Sequence, residues 1–266
     1  MEPIVSIVTV AFNAVNVIRE TIHSVIKQEF NSFEYIIIDG ESVDGTLDII
    51  NEYASYLSYF VSEPDRGIYD AMNKGIDAAT GEWIIFMNAG DTFISNEVLK
   101  NVFKGNVDKC IDVLYGDAIL KYVWGCSLLE GHFFTPNDIN LPFCHQSVFV
   151  KTKLMKEFYF NLNYKVAGDY NFFYTLYCKG KIFYHIKVPV AFYDSVGYST
   201  NRVLETYKEV AHIRGKDSGC RYLFKVLYFR LRKVSVAFVP RRIINFYRRY
   251  KYTSLYNDKC EKYGKV

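Results

Sequence analysis

The sequence predicts an α/β fold in which a mixed, mainly parallel sheet is flanked by helices and followed by a basic helical C-terminal extension. Two continuous apolar runs carry this prediction, at residues 35–38 and 83–87, and each ends abruptly in acids, amides and glycines. Such runs are typical of strands buried on both faces of a parallel sheet. Strand and helix alternate up to residue 90, which indicates parallel pairing with right-handed crossovers.

The individual elements follow from apolar spacing and turn residues. Apolar runs predict strands at residues 4–10, 34–38, 59–61, 82–87, 113–115, 118–123, 147–150, 181–185 and 190–193. Helical spacing predicts helices at residues 15–28, 46–53, 68–79, 96–103, 172–178 and 205–214. Ligands of such sheets bind just past the carboxyl ends of the strands. Carboxylates at two of these ends indicate a site for a nucleotide and a divalent metal.

Composition and charge bound the domain organisation. The chain has 266 residues, half of them hydrophobic, which fits one large domain with an extension. We predict a main domain at residues 1–215 and an extension at residues 216–266. Residues 220–266 hold 13 Lys and Arg against 2 Asp and Glu, whereas the remainder holds 19 against 27. The extension is therefore strongly basic, which indicates a polyanionic surface as its partner.

The cysteines and the apolar runs indicate where the chain resides. Six cysteines are scattered and form no Cys-x-x-Cys pair, so we expect reduced thiols in an intracellular protein. The first apolar run lacks a basic leader, and no stretch of about 18 uncharged apolar residues occurs. We therefore expect neither a signal peptide nor a transmembrane helix.

Three long motifs follow one another at predicted strand ends: VSIVTVAFN at residues 5–13, DGESVDGT at 39–46 and SEPDRGIYDAMNKG at 62–75. They resemble the family-2 inverting glycosyltransferases, which have the GT-A fold, over roughly residues 4–200. The third motif is similar to the subgroup of bacterial surface-polysaccharide assembly, which includes colanic-acid and O-antigen enzymes. The resemblance implies transfer of a hexose or N-acetylhexosamine from a UDP-sugar to a lipid-linked glycan acceptor.

The first two motifs imply a nucleotide site. Thr9, Ala11 and Asn13 resemble the nucleotide cradle, with ordinary turn chemistry as the alternative. Asp39 stands where the family has the carboxylate that accepts the uracil ring N–H. Asp44 opens a helix, so helix capping explains it as well as ligand contact does.

The third motif implies further nucleotide contacts. Asp65 and Arg66 lie in a loop that the resemblance places against the nucleotide, and a solvated surface pair is the alternative. Asn73 and Lys74 lie on the following helix. Many relatives have an arginine before the asparagine, where this chain has Met72. Either Lys74 or Arg66 would then supply the missing positive charge.

One departure from the family pattern concerns the metal. The family shows Asp-x-Asp after the fourth strand, whereas this chain has Asn88-Ala89-Gly90-Asp91. Mg²⁺ and Mn²⁺ prefer oxygen ligands, and Mg²⁺ is often held by one or two carboxylates together with substrate phosphates. Asp91 would hold Mn²⁺ or Mg²⁺, and Asn88 would contribute a carbonyl oxygen.

The acceptor side of the site is implied by residues further along the chain. Asp169, in the sequence AGDYNF, resembles the catalytic base of the family, with a helix N-cap as the alternative. His145 and Gln146 resemble a feature that lines the sugar pocket, although a lone histidine is equally well structural. The stretch GYST at residues 197–200 is similar to the loop that folds over the donor diphosphate.

The basic extension supports three interpretations. Its basic and aromatic residues would suit nucleic acid, but its aliphatic content favours helices in a membrane interface. The third interpretation is a helical hairpin packed on the main domain. We expect an anionic membrane surface and no nucleic acid as partner. The protein would then be cytoplasmic and peripheral on the inner face of the bacterial plasma membrane.

Two other functions compete with glycosyl transfer. A sugar nucleotidyltransferase would need a glycine- and lysine-rich loop after the first strand, and the sequence AFNAV at residues 11–15 is not such a loop. A non-catalytic nucleotide-sugar-binding protein would tolerate the reduced metal motif. The presence of both Asp91 and Asp169 argues against it.

Overall fold

The computed structural model describes residues 2–105, 107–122, 125–135, 138–194 and 202–237. The chain divides into two compact units, one of Met1–Ile119 with Leu129–Tyr193 and one of Leu120–Leu128 with Asp194–Val266. The boundary expected between residues 215 and 216 stays a prediction. In the part of the chain that is described, no helix is long and apolar enough to cross a membrane.

The described residues form one nine-stranded sheet. Its strands are β1 (Val5–Ala11), β2 (Phe33–Asp39), β3 (Tyr59–Ser62), β4 (Trp83–Phe86), β5 (Thr92–Phe93), β6 (Val113–Tyr122), β7 (Gly125–Leu129), β8 (Val148–Lys151) and β9 (Phe183–Asp194). The spatial order is β3-β2-β1-β4-β8-β6-β9-β5, and β7 pairs with β6. Strands β1 to β4 pair in parallel, whereas β8 is antiparallel to both β4 and β6.

Helices of the first compact unit cover the sheet and connect its strands, and the last two described helices belong to the second unit. The helices are α1 (Ile18–Ile26), α2 (Thr46–Glu52), α3 (Ile68–Ala78), α4 (Val98–Val102), α5 (Thr152–Phe158), α6 (Gly168–Cys178), α7 (Val203–Ile213) and α8 (Gly219–Ala237). On one face of the sheet, Ile7 belongs to the same buried cluster as Ile22 of α1. On the other face, Gly75 of α3 lies so close to Val8 that a side chain would not fit between them. Cover on both faces explains why these strands read as unbroken apolar runs.

The topology brings two kinds of segment to one edge of the sheet. Because β1, β2 and β4 are parallel, their carboxyl ends meet there, with Ala11 opposite Asp39 in the register. Strand β8 runs the other way, with Ile85 opposite Phe149. The short 3₁₀ turn His145–Ser147 that precedes β8 therefore lies at the same edge.

Two predicted strand breaks are wrong. The strands predicted at 113–115 and 118–123 are one strand over the described residues, β6 (Val113–Tyr122), because Gly116 allows the close approach of β9 backbone at Val188 and makes no turn. The strands predicted at 181–185 and 190–193 are likewise one strand, β9, which begins at Phe183 and continues through Lys187 in a left-handed conformation at φ 50°. Helix α6 begins at Gly168, before the predicted residue 172, and α5, β5 and β7 were not predicted.

Candidate active site

Asp39 is the last residue of β2 and lies opposite Ala11 of β1, at the sheet edge where we expect the ligand crevice. Its side chain is fully buried, and its oxygens accept hydrogen bonds from the Ser42 amide (2.8 Å), the Ser42 hydroxyl (2.6 Å) and the Ser62 hydroxyl (2.7 Å). These bonds fix the loop that follows β2. The carboxylate lies at the predicted strand end but behind Ser42, so its contact with a base stays a prediction.

The other predicted cradle residues have different surroundings. Thr9 is buried, and its hydroxyl donates to Met87 O (2.7 Å) and lies 3.1 Å from the Tyr35 hydroxyl. Ala11 is buried at the end of β1. Asn13 is exposed and left-handed at φ 48°, and it joins the two loops through hydrogen bonds with Ser42 and Val43. Thr9 therefore lies beneath the crevice and Asn13 at its rim.

Phe12 is a candidate nucleotide contact that the sequence did not single out. Its side chain is 65% exposed and directly follows the end of β1. A Cβ atom on Gly40 would lie 3.3 Å from Phe12 Cδ2 and would collide with the Asp65 carboxylate. An exposed aromatic ring, a bare backbone and a half-buried carboxylate are therefore neighbours. The sequence held one signal for Phe12, which is its position directly after β1 and beside the predicted cradle residues.

Positive charge lies beside this crevice in two ion pairs. The Arg66 guanidinium is 2.9 Å from Asp70 Oδ1, and the arginine lowers the pKa of that carboxyl group. Lys74 Nζ is 2.8 Å from Glu63 Oε1 and also donates to Pro64 O. Arg66 remains 76% exposed, whereas Lys74 is 25% exposed. Arg66 is thus the more accessible of the two cations proposed to replace the missing arginine.

Asn73 has a structural position. Its amide donates to Phe160 O and accepts from Phe160 N–H, both at 2.9 Å. This pair of bonds ties α3 to the segment that follows α5. A direct nucleotide contact by Asn73 stays a prediction.

Asp91 and Asn88 lie in a tight turn after β4, where the Asp91 N–H donates to Asn88 O (2.9 Å). Both residues are more than nine-tenths buried. Gln146 donates to Asp91 Oδ2 (3.1 Å), and the Cys144 thiol donates to Gln146 Oε1 (2.8 Å). Asn88 Oδ1 is buried and has no hydrogen-bond partner among the described residues. A buried carbonyl oxygen of this kind, beside a carboxylate, suits a hard divalent cation.

Asp169 lies in the first turn of α6 with its side chain 22% exposed. Its Oδ1 accepts from the Tyr170 N–H (2.8 Å) and lies 3.3 Å from the Tyr69 hydroxyl, which also donates to Val166 O (3.0 Å). Burial, aided by the charge of Asp169, raises the pKa of Tyr69 well above its usual range, so the phenol stays protonated as a donor. The N-cap of α6 is Ala167, and no side-chain capping bond is made, so the N-cap alternative for Asp169 is wrong. Asp169 lies inside the first turn of the helix, beside the Tyr69 donor.

Tyr69 is the second residue that the sequence did not assign. Gly168 directly precedes Asp169, and a Cβ atom there would lie 2.7 Å from the Tyr69 ring. The glycine therefore lets the ring approach the start of α6. The quoted motif contained Tyr69, but nothing in the sequence connected it to a residue 100 positions away.

The 3₁₀ turn at residues 145–147 faces both carboxylates. His145 Nδ1 lies 3.6 Å from Asp169 Oδ2, and the neighbouring Gln146 contacts Asp91. Burial lowers the pKa of His145, although the Asp169 charge opposes this, so the imidazole is neutral near pH 7. Two adjacent side chains thus connect the predicted metal ligand with the predicted base. The diphosphate loop predicted at residues 197–200 lies outside the described residues.

Comparison with known proteins identifies the class. The model of the family described as glycosyl transferase family 2 matches residues 6–116. A PGL/p-HBAD biosynthesis glycosyltransferase of Mycobacterium tuberculosis is 30% identical over 258 residues, which cover 93% of this chain and 98% of the relative. The chain therefore belongs to glycosyltransferase family 2.

Solved structures confirm the predicted GT-A fold. S. aureus TarS 1–349 in complex with UDP-GlcNAc superposes with a TM-score of 0.66 at 22% identity, over 80% of this chain and 65% of the TarS chain. The chain thus spans slightly less than two thirds of that TarS chain. The mannosyltransferase PcManGT of Pyrobaculum calidifontis, in complex with GDP-Man and Mn²⁺, has a TM-score of 0.61 at 16% identity over 97% of this chain and 82% of its own.

Proposed function

We propose that this chain transfers a hexose or an N-acetylhexosamine from a UDP-sugar, with inversion, to a hydroxyl group of a lipid-linked glycan. The observation that carries the proposal is the pairing of Asp91 and Asp169 through adjacent residues of one turn. Asp91 belongs to the strand-end edge where a nucleotide would bind. Asp169 belongs to the start of α6. An in-line displacement needs one such group on each side of the reacting carbon.

Asp169 acts as the general base in this proposal. Its Oδ1 is engaged by the Tyr170 N–H and the Tyr69 hydroxyl, which orients Oδ2 to take the proton of the acceptor hydroxyl. The deprotonating oxygen attacks the anomeric carbon and forms the new glycosidic bond. The bond to the diphosphate oxygen breaks on the opposite face, so the configuration inverts. Neutral His145 borders the same carboxylate and adds no competing charge.

The residues after β4 fit a divalent metal. The described part of the chain contains no cluster of three or more His, Cys, Asp or Glu that could hold an ion alone. Asp91 and the orphaned Asn88 carbonyl would therefore hold Mn²⁺ or Mg²⁺ together with the donor phosphates. When bound, the ion neutralises charge on the departing diphosphate. Gln146 holds Asp91 in place, as outer-shell partners of ligands do.

The base of the nucleotide lies between Phe12 and the Asp65 carboxylate in this proposal. The exposed Phe12 ring offers a stacking surface, and Asp65 is an acceptor for the N–H of a uracil ring. Asp39 supports this pocket through Ser42 and Ser62. Arg66 is the exposed cation nearest in sequence to the Asp65 carboxylate and would face the diphosphate.

We expect UDP to bind more tightly than GDP or CMP, because a purine needs a deeper slot than a pyrimidine, and because cytosine lacks the ring N–H that uracil offers to a carboxylate. Calorimetric titration of the three nucleotides with Mn²⁺ present measures this preference. Asp65→Asn should weaken UDP binding roughly ten- to hundredfold while the fold survives, because it removes one charged acceptor, whose hydrogen bond is worth about 1.5–3 kcal/mol. Asp39→Asn should instead lower the melting temperature, since it breaks buried bonds.

The same titration separates the two acids. If the Asp39→Asn variant is stable but loses UDP affinity, the residue that contacts the uracil base is Asp39 and not Asp65. Equal or tighter binding of GDP by the wild type would overturn the choice of UDP.

The relatives support the pathway and the donor class. The mycobacterial relative is named for PGL/p-HBAD biosynthesis, and the TarS structure contains UDP-GlcNAc, a sugar donor. We infer a surface-polysaccharide or glycolipid pathway whose acceptor is carried on a lipid diphosphate, with the enzyme at the cytoplasmic face of a bacterial membrane. No observation favours a nucleotidyltransferase or a non-catalytic binder over transfer.

A further inference from the structure

Helix α8 has one face that packs against α7. The Tyr207 ring of α7 lies 5.9 Å from the Tyr222 ring and 5.3 Å from the Phe229 ring, and Lys225 Nζ lies 5.5 Å from its centroid. These residues of α8 recur at spacings of three, four and seven, which is one side of a helix. The aromatic contact fixes which face of α8 turns away from α7.

The opposite face is apolar and exposed. Its members are Leu223 (63% exposed), Phe224 (72%), Leu227 (52%), Tyr228 (58%) and Leu231 (60%). Their spacing places all five on one continuous stripe along the helix. We call these five residues the α8 stripe. Five large apolar side chains more than half exposed on one helix mark an interaction surface.

Both borders of the α8 stripe are basic. At 100° per residue, Arg221 follows Tyr228 around the helix on one side, and Arg230 precedes Leu223 on the other. Both arginines are exposed. Residues 219–237 contain no acid, and the sequence continues with eight further Lys and Arg against two acids up to residue 266. An apolar stripe between basic borders is the pattern of a helix that lies in a membrane interface.

We propose that the α8 stripe lies in the surface of an anionic lipid bilayer, with Arg221 and Arg230 at the level of the lipid headgroups. The proposal deepens the proposed function, because it would place the enzyme at the surface that holds a lipid-linked acceptor. A second copy of the chain is a poorer occupant, since two stripes with basic borders and no acids would repel each other. Nucleic acid is also poorer, because three of the five stripe residues are leucines and offer no stacking surface.

The test is flotation of the full chain with vesicles of equal parts phosphatidylglycerol and phosphatidylcholine, and with phosphatidylcholine alone. The wild type should float with the anionic vesicles at low salt and dissociate as salt rises, because salt screens the arginines. The double variant Leu227→Gln, Leu231→Gln should lose at least about tenfold in vesicle partition, since it removes two apolar side chains that the bilayer would bury while keeping helix propensity and charge. Phe224→Gln alone should show a smaller loss.

A matched control is Ile182→Gln with Tyr184→Gln, which removes two apolar side chains, 47% and 53% exposed, from the first compact unit. The control should float like the wild type. Equal flotation of the stripe variant and the wild type, or a wild type that ignores anionic vesicles at low salt, overturns the proposal. A stripe variant that changes from dimer to monomer in sedimentation while the wild type never floats would identify a second copy as the occupant. Vesicle binding needs no nucleotide, so these results stand apart from the test of glycosyl transfer.

Discussion

Asp169→Asn is expected to reduce turnover by about 10² to 10⁴-fold, the usual loss when a general base is removed. The substitution is nearly isosteric, and the asparagine oxygen can still accept the Tyr170 N–H in the first turn of α6. UDP-sugar affinity should change little, because the base faces the acceptor. Steady-state kinetics combined with UDP calorimetry measures both quantities on the same preparation.

Asp138→Asn is the matched control for this prediction. Asp138 is also a partly exposed carboxylate and accepts the Thr135 N–H at 2.6 Å, a bond that asparagine can keep. This variant should turn over like the wild type. If Asp169→Asn stays active and Asp138→Asn does not, the base is Asp138 and the role proposed for α6 is wrong.

Asp91→Ala is expected to abolish the part of UDP binding that depends on Mn²⁺, because it removes the one carboxylate of the strand-end turn. The fold should survive, since Thr21 bonds the Asp91 backbone carbonyl and not its side chain. Asn88→Asp should keep or raise activity, because it restores a second carboxylate next to the proposed ion. UDP titrations with and without Mn²⁺ measure the effect.

Asp48→Ala, an exposed aspartate in α2, provides the matched control and should bind UDP like the wild type. Full wild-type activity in excess chelator would show that no divalent ion is needed. The orphaned Asn88 oxygen would then require a different explanation.

The parallel half of the fold could be predicted because burial on both faces of a sheet leaves a plain signature. Strand β1 is buried at every position, and β2 has three buried isoleucines directly before Asp39. The predictions for the later strands were wrong where a residue adopts a conformation that its type disfavours or lies in a strand despite being a usual turn residue. Gly116 looks like a break but lies within β6, and Lys187 is left-handed inside β9. Tertiary contacts decided both positions.

The sequence predicted which residues lie at the strand ends of the candidate site. It did not predict the contacts between residues that come from different strands. Asp91, Gln146, His145 and Asp169 were all identified, yet their arrangement around one turn depends on β8 being antiparallel to β4. Thr9 and Asp39 were placed correctly along their strands, but a sequence does not reveal that their polar atoms face other protein groups. Tyr69 and Phe12 lie within the motifs, but nothing in the sequence gives either residue a role. Only their positions in the folded structure connect them to the site.

The account's central claim is that two carboxylates, joined through the 145–147 turn, divide glycosyl transfer between donor and acceptor. The most direct measurement is nucleotide release from a panel of UDP-, GDP- and CMP-sugars by the wild type, Asp169→Asn and Asp91→Ala, with Mn²⁺ present. We expect the wild type to release UDP from a UDP-hexose or UDP-N-acetylhexosamine. Asp169→Asn should bind that donor and fail to turn it over, and Asp91→Ala should lose donor binding itself. Turnover that ignores both substitutions, or a wild type that binds nucleotide sugars without cleaving any, would contradict the account.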